Sequence, residues 1–98
     1  MRRLRIRERT VPIDDVAMYG SAWTSLQRAA QAAGARAWVF RATEPDETGM
    51  SRFIEFVEWL SDENDPSALH RAIAAADANL KNIAAASDRG TWEEWTGS

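Results

Sequence analysis

The chain has 98 residues, 45% apolar and 28% charged, with a net charge of −3; that suits one folded domain (1–98) with a modest core and argues against disorder. The acidic balance removes any bulk attraction to nucleic acid or an anionic membrane. No cysteine and a single histidine exclude disulfides, thiolate chemistry and an ordinary His-rich metal site.

Arg3-Leu4-Arg5-Ile6-Arg7-Glu8-Arg9 alternates with period two, which predicts a strand with Leu4 and Ile6 on one face and the arginines on the other. The segment lacks the continuous apolar core of a secretory signal, and no run approaches the roughly 20 apolar residues of a membrane span. A soluble cytoplasmic protein is expected. Pro12 breaks the strand, and Asp14 or Asp15 suits a helix start. Val16, Tyr19, Trp23, Leu26, Ala30 and Ala33 then recur at helical spacing. Gly34 suits the left-handed position beyond the helix end.

A second strand is predicted over 35–43, and the turn-forming stretch Pro45 to Gly49 links it to the longest apolar run, Phe53 to Leu60. That run has strand length, and both of its faces are mostly apolar, which reads as a central strand covered on both sides. Asp65-Pro66 supplies an N-cap and a first helical residue. Leu69, Ile73, Ala76, Leu80 and Ile83 form the stripe of a second helix. Gly90 closes that segment, Thr91 to Trp95 reads as a last strand, and Gly97-Ser98 as a frayed end.

The order β-α-β-β-α-β gives an α+β, ferredoxin-like fold: a four-stranded antiparallel sheet, two helices on one face, and strands one and three at the centre. Leu4, Ile6, Trp38, Phe40, Ile54 and Phe56 are expected to face the helices. The opposite, bare face would carry Arg3, Arg5, Arg7, Val39, Arg41, Phe53, Glu55, Val57 and Trp59, and a second copy of the chain would cover it.

This order, with Phe53-Ile54-Glu55-Phe56-Val57-Glu58-Trp59 before an acidic turn and a helix, resembles the dimeric α+β-barrel superfamily and its small antibiotic-biosynthesis monooxygenase-like members. The resemblance implies a homodimer in which two sheets enclose a partly polar pocket. It also implies roles ranging from cofactor-independent oxygenation to plain ligand binding. Trp59 followed by His70 is similar to the Trp and His of the haem-degrading branch, but strand one offers Arg3, Arg5 and Arg7 with no Asn, so haem chemistry is not supported.

As ligand-binding candidates these considerations leave Arg5, Arg7, Glu55 and Trp59. The arginines and Glu55 form either a cross-strand ion-pair cluster or a clamp for an anionic ligand. His70 flanks the second helix's stripe; its ordinary reading is solvent-facing, and its catalytic reading is a general base. The tryptophans read as core or interface packing, or as a cage for a flat ligand. Base stacking on RNA fits poorly, since strand one shows arginines where the stacking aromatics would stand. No phosphate loop, nucleophile elbow or metal motif is present. The expectation is a homodimer with a pocket between sheet and partner that binds or oxidises a small organic molecule without cofactor or metal, the alternative being a non-catalytic structural or partner-binding dimer.

Overall fold

The computed structural model describes residues 1–61, 66–95 and 97. Its elements run β1 (Arg2–Val11), a single 3-10 turn (Ile13–Asp15), α1 (Val16–Ala32), β2 (Arg36–Arg41), β3 (Ser51–Leu60), α2 (Pro66–Leu80) and β4 (Ala85–Glu93). The strands form one antiparallel sheet in the order β2-β3-β1-β4, with the two ten-residue strands at its centre. This is the ferredoxin-like arrangement expected from the element order. The Asp65 cap lies outside the described residues.

Local chemistry sets the element ends. Gly34 takes φ 78°; its N–H donates to the Gln31 carbonyl at 3.0 Å and that of Ala35 to Ala30 at 2.8 Å, the paired bonds of a Schellman stop. Between β2 and β3, Asp46 Oδ1 accepts from the backbone of Thr48 and Met50, each at 2.9 Å, and from the Thr48 hydroxyl at 2.7 Å. These bonds, the Thr48 hydroxyl first among them, hold its carboxyl below the usual aspartate range.

Two boundaries differ from the sequence expectation. The α2 helix ends at Leu80, and Ile83 lies in the following turn, though it still packs on the buried cluster of Val11, Tyr19, Phe53 and Leu80. The β4 strand begins at Ala85, so Gly90 sits inside it rather than before it, and Trp95 lies beyond it. Gly90 adopts φ 88° where the β1–β4 register slips by one residue between Arg5 and Arg7. It supplies the left-handed residue of a bulge, a second use of glycine that mimics a strand boundary in sequence.

The two sets of strand residues were grouped correctly, but their faces are exchanged. Arg3, Arg5, Arg7 and Arg9 stand opposite Trp59, Val57, Glu55 and Phe53, and this set lies under the helices. Val57 and Trp59 join Trp23, Leu26 and Ala30 of α1 and Leu69, Ile73 and Ala76 of α2 in the main core. The bare face instead carries Leu4, Ile6, Trp38, Phe40, Ile54 and Phe56.

The physical reason lies in the helices. Each inner stripe carries one polar group suited to arginine and carboxylate partners, Tyr19 on α1 and Asp77 on α2. With the faces reversed, Glu8, Arg52 and Glu58 would be pressed under the helices without matching partners. Buried charge is tolerated where it is paired, and pairing decided the face over apolar content.

Candidate functional site

Under the helices the structure brings together part of the expected cluster and corrects its partners. Glu55 pairs with Arg9 rather than with Arg5 or Arg7: Arg9 donates through Nε at 2.9 Å and a terminal nitrogen at 3.3 Å, and the Tyr19 hydroxyl donates to the same carboxylate at 2.6 Å. Arg9 also reaches Asp77 at 3.0 Å, and Arg7 pairs with Asp77. Arg5 approaches Asp88 of β4 at 3.9 Å. The Arg9 and Glu55 side chains are only 4% and 6% exposed.

Burial alone would lower the Arg9 pKa, but the bonds from Glu55 and Asp77 outweigh it and hold the guanidinium above its ordinary value. Burial, reinforced by the Glu55 charge and hydrogen bond, pushes the Tyr19 hydroxyl well up. A raised tyrosine pKa adds stability that is whole below the unfolded value of about 10 and declines above it, because only the unfolded chain then releases the proton. Stability should therefore fall with a slope of about one proton above pH ~10, and Tyr19→Phe should remove that dependence. Urea titrations from pH 8 to 11.5 measure it, and Tyr19 is the chain's one tyrosine, so no other phenol contributes.

Trp59 is buried, and the imidazole of His70 meets its ring edge-on, with centroids 6.5 Å apart and planes at 81°. The Trp–His pair is thus close in space, on the helix side of the sheet. His70 itself is exposed, and among the described residues it makes no hydrogen bond or ion pair. A void of about 20 Å³ lies inside the charged cluster, between Arg7, Arg9, Glu55, Trp23 and Asp77. Two buried donors beside it, Arg7 Nε and Trp23 Nε1, have no hydrogen-bond partner among the described residues.

Arg9, Tyr19 and Asp77 were not among the expected site residues. Arg9 continues the alternation of Arg3, Arg5 and Arg7, and Tyr19 sits on the first helix's stripe, so both left a signal. Asp77 follows Ala76 at the stripe's edge, where a carboxylate reads equally well as solvated.

The bare face offers a different setting. Trp38 stacks on Phe56 with centroids 5.3 Å apart, and Phe40 meets Phe56 edge-on at 5.9 Å. Phe40 is 61% exposed and Trp92, opposite Leu4, is 58% exposed. At one end of this face an open hollow of about 370 Å³ is lined by Glu8, Thr10, Phe40, Arg52, Ile54 and Ser87, among others. That volume is in the range of small-molecule sites. Among the described residues no group of three potential ligands could hold a metal ion, and no helix is long and apolar enough to cross a membrane.

No family model matches the chain. No curated protein matches it either. Solved structures do. A Nitrosomonas europaea protein named for the antibiotic biosynthesis monooxygenases is similar over 99% of this chain and 93% of its own, with TM-score 0.72 and 10% identity. SnoaB, a cofactor-independent oxygenase from Streptomyces nogalater, is similar over 98% and 96%, with TM-score 0.63 and 14% identity. The de novo designed protein Foldit4 is similar over 96% and 98%, with TM-score 0.62 and 12% identity. At such identities the likeness is one of fold. The expected ferredoxin-like architecture is present, and a designed protein with the same architecture underlines that fold alone does not carry function.

Proposed function

We propose that the protein is a cytoplasmic homodimer whose bare sheet faces pack together and hold a small organic molecule between them, with cofactor-free oxidation as the reaction class to assay first. The observation that carries this reading is the aromatic face of Leu4, Ile6, Trp38, Phe40, Ile54 and Phe56, with a hollow at its end. Contiguous apolar faces of this kind mark interaction surfaces. Strands of six to ten residues at about 3.4 Å per residue, four abreast at about 4.8 Å, make a face of roughly 600 Å² before side-chain relief is added. That approaches the ~800 Å² per partner of a stable interface, and a two-fold axis lets the same patch serve both copies.

The oxidation draws support from the activity named for the Streptomyces nogalater neighbour. Its balance requires only dioxygen: a substrate CH₂ becomes C=O, one oxygen atom going to carbon and the other leaving as water with the two hydrogens. Sedimentation equilibrium at micromolar concentration should report twice the 11.0 kDa chain mass, and a folded chain that stays monomeric there overturns the reading.

A second reading has its own support in the two orphaned donors, Arg7 Nε and Trp23 Nε1. Buried donors without partners are costly. A ligand oxygen admitted beside them would accept from Arg7 Nε and Trp23 Nε1, with Arg5 and Glu55 also lining the void. A co-crystal separates the readings by where the ligand density lies, between the two sheets or under the helices.

A further inference from the structure

The hollow on the bare face contains unequal charges. Glu8 is spent, since its carboxylate accepts from Arg89 at 2.7 Å. Arg41, although it reaches the rim, donates to the Ser51 hydroxyl at 2.7 Å and lies over the Phe53 ring at 5.6 Å. Arg9 is engaged under the helices by Glu55 and Asp77. Arg52 differs from all three. It stands directly opposite Thr10 in the β1–β3 ladder, on the bare face, and its side chain makes no hydrogen bond or ion pair among the described residues. Its charge is felt by Glu8 and Asp46, but it bonds neither.

Glu8, Arg89 and Arg52 together carry one net positive charge at the mouth of an apolar hollow, in a chain whose net charge is −3. The hollow's lining includes the apolar Phe40, Ile54 and Ala42 and the hydroxyl-bearing Thr10 and Ser87. From this we infer that the hollow takes an organic anion with an apolar, aromatic-sized body, its carboxylate or sulfonate held by Arg52 and Thr10 and its body lying on Phe40 and Ile54.

The inference rests on the proposed sheet-to-sheet dimer, because closure by a second copy takes Arg52 out of water. A desolvated guanidinium must then meet an anion, and its fork geometry favours a carboxylate or sulfonate over a neutral oxygen. In the open chain, water would serve Arg52 equally well and no such selectivity would arise.

The test uses two probes with one body. 1-Anilinonaphthalene-8-sulfonate and N-phenyl-1-naphthylamine differ by the sulfonate alone, and both report burial by fluorescence. The dimeric parent should bind the sulfonate at least about tenfold more tightly, the discrimination typical of a hydrogen bond to a charged group. Arg52→Gln should abolish that preference while keeping the affinity for the neutral probe and the sedimentation mass. Phe40→Ala should weaken both probes alike.

Equal affinity of the parent for the two probes overturns the anion assignment and leaves the dimer standing. If Arg52→Gln lowers the dimer mass, the partner's carboxylates hold Arg52 and the assignment is wrong. A dimeric parent that binds neither probe removes the site itself. A monomeric parent removes the dimer reading first, and the inference with it.

Discussion

Glu55→Ala will destabilise the chain by about 3–5 kcal/mol, the loss expected when one member of a buried ion pair is removed and its partner stays charged. Arg9 is the partner left behind. It cannot lose its proton at ordinary pH, it is 4% exposed, and it now draws two of its bonds from Glu55. Asp77 remains at 3.0 Å and keeps the loss toward the lower end of the range. The Tyr19 hydroxyl, which donates to Glu55 at 2.6 Å, loses its acceptor as well. Arg3→Ala is the matched control, since Arg3 and Glu93 pair at 2.9 Å with half their surfaces in water; it should cost about 1 kcal/mol or less. Replacing Arg9 and Glu55 together by methionine should recover most of the stability, because removing both charges also removes their desolvation cost. Urea unfolding of the four proteins at one concentration measures these differences. If Glu55→Ala matched the Arg3→Ala control, the cluster would have to be hydrated and the face assignment of β1 would lose its energetic basis.

The sequence announced its elements more clearly than their faces. Period-two alternation over Arg3 to Arg9 and helical spacing from Val16 to Ala33 are local properties of the chain, and local properties suffice for the β-α-β-β-α-β order. The facing of a strand is not local. Along β3 both parities are apolar, Phe53, Val57 and Trp59 on one and Ile54, Phe56 and Leu60 on the other, so the pattern of β3 was nearly silent. On β1 the rule that apolar residues face the core pointed to Leu4 and Ile6. What overruled it was Asp77 and Tyr19, single residues on two helices that become partners of Arg7, Arg9 and Glu55 only after the chain has folded. The candidate site was affected in the same way. Glu55 was correctly placed beside the β1 arginines, with Arg7 opposite it in the ladder, yet the arginine that bonds it is the diagonal neighbour Arg9. A long side chain chooses among ladder positions by reach and by competing partners. Gly90 is a similar case, since a left-handed glycine serves a strand bulge and a strand boundary equally well.

Phe56→Glu should convert the proposed dimer to a folded monomer. Phe56 is at the middle of the bare face, stacked on Trp38 and met edge-on by Phe40, and opposite Ile6 in the β1 ladder. None of these contacts reaches the helices, so the monomer's core of Trp23, Leu26, Val57, Trp59 and Leu69 is untouched, and the loss within one chain is about 1–3 kcal/mol for the two aromatic pairs. In the dimer the same change acts twice, because a two-fold interface contains each substituted residue in both copies. Withholding one buried phenylalanine costs about 1.5–3 kcal/mol, so two cost about 3–6 kcal/mol, and the dissociation constant rises by about 10²–10⁴. Two carboxylates brought near a common axis add repulsion that weakens as salt is raised. Sedimentation equilibrium of parent and variant across a hundredfold range of concentration, at low and at high salt, reads the shift, while circular dichroism confirms that the variant is folded. A folded variant that keeps twice the chain mass would mean that the copies meet through some other surface, and the aromatic face would then need a different occupant.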